Sequence, residues 1–174
     1  SVGGYLADAY YYELIDTDEL TGTTDTTAEA IIKEFDHFTF NTNKSVISGN
    51  IDGNGILVLK IYYTRNVYKL SNANTDLGSI SKSGSYVYGS IEAFEATATV
   101  SKLGYEFIGW YSEDALLSTD STFIFTAEKS VEARFAANQE MANFNFSSTA
   151  TTCTITGIKD KTVTEIIVPD YVTD

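Results

Sequence analysis

The chain has 174 residues, 43% of them apolar and 20% charged, and a net charge of -13. That composition is ordinary for one or two folded globular domains. The negative charge is spread along the whole length, which argues against phosphate backbones and anionic lipid as partners. The longest aliphatic run, residues 56–59, is far short of a bilayer span, and one cysteine cannot make an internal disulfide.

Ser1-Val2-Gly3-Gly4 lacks the basic and apolar regions of a secretion leader, so the sequence reads as a piece of something longer. Tyr5 to Ile15 reads as one strand containing Tyr10-Tyr11-Tyr12. Exposed tyrosines can stack on sugar rings, but alternate tyrosines more commonly pack on a sheet face. Asp16-Thr17-Asp18-Glu19 reads as an acidic loop. Thr27 to Phe35 is the best helix candidate, about two turns, because Ala, Glu and Lys favour helix and Thr26 or Thr27 is a suitable cap; the same residues also suit an extended segment.

Asn50-Ile51-Asp52-Gly53-Asn54-Gly55 resembles the start of a calcium loop, with Asn50, Asp52 and Asn54 at ligand spacing. Position twelve is Ile61, where a bidentate Glu is required, so the match fails. Asp-Gly and Asn-Gly between apolar runs instead predict a hairpin turn, followed by a strand from Ile56 to Tyr63. The junction Lys60 to Leu70 then runs strand into strand with no Gly, Pro or Ser-rich spacer. That composition predicts a semi-rigid connection and modules in line.

Downstream, Phe94 to Val100 alternates as a strand should. Gly104-Tyr105-Glu106-Phe107-Ile108-Gly109-Trp110-Tyr111 holds the single Trp and reads as an interior strand, with Gly104 in the entering turn. Gly109 reads as a bulge or as room for close approach. By strict alternation Tyr105, Phe107 and Tyr111 share one face, and Glu106, Ile108 and Trp110 the other. Trp110 is expected in the core. Cys153, flanked by Thr152 and Thr154, reads as a small packed strand residue rather than a reactive thiol.

Three resemblances follow from these residues. Gly78 to Ser81, Tyr86 to Gly89, Phe94 to Val100, Gly104 to Tyr111, Ser121 to Phe125 and Val131 to Phe135 resemble, in order, the divergent form of the internalin-type B-repeat family, over residues 68–137. That resemblance implies a small β module, often in tandem, in bacterial surface proteins, without catalysis. Ile91-Glu92-Ala93 departs from its usual strand start. Leu20 to Thr24, Phe38 to Asn41, Ser45 to Ile51 and Ile56 to Asn66 resemble the mucin-binding-protein type of repeat, usually described as β-grasp-like. Some members bind mucin glycans, but no binding position transfers to this sequence. Phe144 to Phe146, Thr151 to Ile158 and Val163 to Pro169 resemble the entry into a BspA-type leucine-rich repeat array. About one unit is present, too little to bury its own face, so it should lean on the module before it or be poorly ordered at its end.

The expected fold is therefore mainly β, of β-rich α+β type: two small β-grasp-like modules in tandem, residues 1–67 and 68–137, plus a short C-terminal β segment, 138–174. No catalytic machinery is legible. His37, the single histidine, sits between Asp36 and Phe38 with no nucleophile motif, and the carboxylate pairs Glu113-Asp114 and Asp16-Asp18 lie where nothing would desolvate them. No catalytic, cofactor-binding or metal residue is assigned, and no ligand contact is named. The expected function is non-enzymatic: adhesion or spacer modules of a bacterial surface protein, extracellular by secretion or wall anchoring. The alternatives are a glycan- or mucin-binding module and an accessory domain of an extracellular enzyme. Expected partners are a host or bacterial surface protein or a glycan, with no nucleic acid, no membrane insertion, no cofactor and a monomeric state.

Overall fold

The computed structural model describes residues 2–7, 12–162 and 168. The chain divides into two units, Ser1–Val67 with Val87–Ser90, and Tyr68–Tyr86 with Ile91–Asp174.

In the first unit, β1 (Val2–Ala7), β2 (Tyr12–Asp18), β4 (Phe38–Phe40) and β6 (Leu59–Arg65) form a sheet in the order β2-β1-β6-β4; β3 (Thr27–Glu29) and β5 (Ser48–Asn50) pair separately. β1 runs parallel to β6 and antiparallel to β2, with a bulge between Gly4 and Tyr5. β6 is the element the unit is built on, because Leu59, Ile61 and Tyr63 alternate onto one face and are each 2% exposed or less. Phe35 and Phe40 meet the Tyr63 ring edge-on, and the Tyr63 hydroxyl accepts from the Lys33 backbone N–H at 3.0 Å.

Several expectations for this unit are corrected. Tyr5 to Ile15 is not one strand but parts of two antiparallel ones; Tyr10 and Tyr11 lie outside the described residues. Asp16 to Asp18 belong to β2 rather than to a loop. Thr27 to Phe35 forms no helix: Thr27–Glu29 pairs with Ser48–Asn50, and Ala30 donates to the Ile47 carbonyl at 2.7 Å. Nine residues of favourable propensity cannot sustain two turns against a partner strand that takes the same backbone groups. The Asp52-Gly53 turn is present, closed by Gly55 N–H to the Asp52 carbonyl at 2.9 Å, but it joins strands of different sheets and makes no hairpin. The strand after it begins at Leu59, not Ile56.

The second unit opens with β7 (Val67–Asn72), β8 (Gly78–Ile80), β9 (Gly84–Val87) and β10 (Phe94–Val100). It continues with β11 (Tyr105–Ser112), β12 (Ala115–Ser118), β13 (Thr122–Phe125) and β14 (Val131–Ala137). These form a five-stranded sheet, β12-β11-β14-β7-β9, and a three-stranded one, β13-β10-β8. Both sheets feed one core: Leu70, Ala96, Ala98, Trp110, Phe125, Ala127, Val131, Ala133 and Phe135. Trp110 is 0% exposed, and its indole N–H donates to the Asp120 carbonyl at 3.0 Å, so the one polar atom of the ring is satisfied.

The bulge expected at Gly109 is present, with a register shift between Phe107 and Gly109 and φ +136° at Gly109. It also corrects the strict alternation. One extra residue brings Phe107 and Trp110 into contact, ring centroids 5.5 Å apart, and Phe107 also meets Phe135 at 5.4 Å. Tyr111 turns outward instead, under the Arg134 guanidinium at 4.5 Å. Ile91-Glu92-Ala93 lies in no strand, and the alternating run starts at Phe94.

Past a single 3-10 turn at Gln139–Met141, capped by the Asn138 side chain, β15 (Phe144–Ser148) and β16 (Cys153–Ile158) pair antiparallel. This pair leans on the rest of its unit: Leu103 N–H donates to the Thr149 carbonyl at 3.0 Å, and Tyr105 packs on Phe146 at 5.0 Å. The Val163 to Pro169 stretch lies outside the described residues except for Val168. The fold is mainly β as expected. The α component is not found, because the described residues contain no α-helix.

Candidate functional site

The first unit carries a groove of about 320 Å³, lined by aliphatic and polar residues alike, that no single stretch of sequence announces. One wall is the 20–24 loop, another is β3, and the floor comes from residues 51–59. Ala28, Ile51 and Leu57 are half-buried around the fully buried Leu59, and Leu20 stands at the rim, 61% exposed. Gly22 lets the loop approach, since a Cβ there would overlap Ile51 Cδ1. Glu29 is the one charged residue in the lining. The arrangement can take apolar side chains and place a carboxylate beside them.

The other places where sequence pointed to chemistry are occupied by their own neighbours. Of the tyrosine triplet, Tyr12 is described: it meets Tyr62 edge-on at 4.9 Å, and Lys44 Nζ sits 3.9 Å above its ring. Every tyrosine whose side chain is described is buried or half-buried. Asp16 and Asp18 both hold Lys33, at 2.6 Å and 2.9 Å. The Lys33 hydrogen bond, and then its charge, keep the Asp16 carboxyl below its ordinary value, the reverse of what a general acid needs. Glu113 and Asp114 make the turn between β11 and β12, with Glu113 at φ +54°, and Arg134 binds the Glu113 carbonyl and approaches Asp114 at 3.6 Å.

His37 stacks on Tyr88 with ring centroids 4.2 Å apart. Cys153 opens β16 half-buried, and burial pushes its thiol up, away from the thiolate a nucleophile requires. In the former calcium candidate, Asn54 Oδ1 accepts from the Ile56 N–H at 2.9 Å and so serves its own turn. Among the described residues no group of three or more His, Cys, Asp or Glu is arranged to hold a metal ion, and no helix is long and apolar enough to cross a membrane.

Sequence reading missed the groove because its residues come from three separated segments. The available signal was aliphatic Leu20 and Ile51 set among Thr, Gly and Asp, where a solvated loop would have none.

Compared with known families, residues 68–139 match the family described as the Divergent InlB B-repeat domain. That segment contains the core of the second unit and begins one residue into β7. No curated protein and no solved structure matches the chain.

Proposed function

We propose that this chain is a non-enzymatic part of an extracellular bacterial surface protein, secreted or wall-anchored, in which residues 68–139 serve as an adhesion or spacer module. The observation that carries this reading is the Divergent InlB B-repeat match over the segment that holds the Trp110 core. The physical arrangement is in keeping with it. The second unit uses its aromatic residues in packing: Phe94, Phe107, Phe123, Phe125 and Phe135 surround or join the buried cluster. The reading of residues 1–67 as a mucin-binding type of repeat, and of 138–174 as the entry into a leucine-rich repeat array, rests on sequence resemblance alone.

The test is a glycan array probed with the labelled 174-residue chain, run beside assays with chromogenic ester, glycoside and peptide substrates. A spacer gives neither saturable glycan binding nor turnover. Micromolar binding to a glycan class, abolished by Tyr12→Ala, would replace the spacer by the glycan-binding alternative. Turnover of any substrate would overturn the non-enzymatic reading.

A further inference from the structure

We propose that the groove of the first unit is a docking site for a peptide segment presenting aliphatic side chains flanked by lysine or arginine. Leu20 on the rim is 61% exposed, and Ala28, Ile51 and Leu57 line the groove half-buried. Burying such surface stabilises a complex at about 25 cal/mol per Å², and contiguous apolar patches rimmed by polar groups mark interaction sites. The size restricts the occupant. About 320 Å³ lies at the small end of the roughly 300–1,000 Å³ range of ligand sites, suited to a few aliphatic side chains rather than a large cofactor.

The charge decides what kind of segment carries those side chains. Glu29 lines the groove, and residues 20–29, which form two of its walls, also contain Asp25 and no lysine or arginine. The next base along the chain, Lys33, is already held by Asp16 and Asp18. An anionic ligand is repelled there. So is a second copy of this chain, which would bring another net charge of -13 to the contact. A cationic segment is attracted, and rim charges of this kind act mainly on association rate and choice of partner.

Fluorescence polarisation with the 174-residue chain tests this using three labelled peptides: acetyl-Lys-Val-Leu-Val-Lys-amide, acetyl-Glu-Val-Leu-Val-Glu-amide and acetyl-Lys-Ser-Ser-Ser-Lys-amide. The first should bind at least about tenfold more tightly than either of the others, and its affinity should fall with added salt. Leu20→Ser should weaken it several-fold. Glu29→Gln should weaken it and flatten the salt dependence. Both residues are exposed, so the melting temperature of each variant should stay within about 2 °C of wild type. No binding of the first peptide up to millimolar concentration, equal binding of all three, or an affinity unchanged by Leu20→Ser would overturn the proposal. So would dimerisation in sedimentation that Leu20→Ser abolishes, since the occupant would then be a second copy.

Discussion

Trp110 and Gly109 show what single residues contribute here. Trp110 is completely enclosed and donates its indole N–H to a backbone carbonyl, so truncation removes a large apolar volume and leaves the Asp120 carbonyl without that donor. Trp110→Ala should cost about 3–5 kcal/mol and lower the melting temperature of the second unit by more than about 10 °C; a shift under about 2 °C in a thermal melt would place the ring elsewhere. Gly109 combines φ +136° with a crowded site, where a Cβ would stand 2.8 Å from the Ser118 carbonyl oxygen and overlap Leu116 Cδ1. Gly109→Ala should therefore cost about 1–3 kcal/mol through backbone strain alone, with the carbonyl contact adding to it. Urea denaturation checks this, and a midpoint equal to wild type contradicts it. Both residues were legible in the sequence, Trp110 as core and Gly109 as bulge. The reversal of Phe107 was not, because alternation fixes facing only where no residue is inserted.

At the scale of elements, β2 is the instructive strand. It lies at the edge of its sheet, and its acidic residues are used: Asp16 and Asp18 hold Lys33 from the segment after β3, and Asp16 Oδ1 also accepts the Thr17 N–H at 2.9 Å. Charge and side-chain bonding on an edge discourage pairing with other chains. The sign of the pH effect follows from Asp16, whose folded value lies below its ordinary 3.8. Its contribution to stability is present above 3.8 and is lost as pH falls through the depressed folded value. Melting temperatures of wild type and Lys33→Met should therefore differ at neutral pH and converge as pH falls through the depressed folded value of Asp16. A constant difference down to pH 2 would exclude the pair as its source. The turn before β6 makes a second prediction. Because Asn54 already serves the Ile56 N–H, millimolar calcium should leave the melting temperature unchanged; a rise of several degrees would signal ion binding to the folded chain. Elements with strong alternation, such as Phe94–Val100, were readable to the residue. Thr27 to Phe35 was not, since the strand that claims it lies some twenty residues away and propensity carries no information about that partner.

Across the whole molecule, the mainly β class followed from abundant Thr, Ser, Tyr and Phe with a single proline, while the groove in the first unit depends on segments that meet only after folding. The net charge of -13 makes self-repulsion a general term, so raising sodium chloride from about 0.01 to 0.15 M, which shortens the screening length from about 30 to 8 Å, should raise the melting temperature. The second unit closes its core around Trp110. Because Trp110 is the only tryptophan, its fluorescence reports on that core alone. The most direct measurement is acrylamide quenching of the 174-residue chain across a urea titration. Weak quenching of a blue-shifted emission is expected in the native state, rising in one cooperative step to the quenching of free indole. Native emission already quenched as strongly as in high urea would show an exposed Trp110 and contradict a closed core.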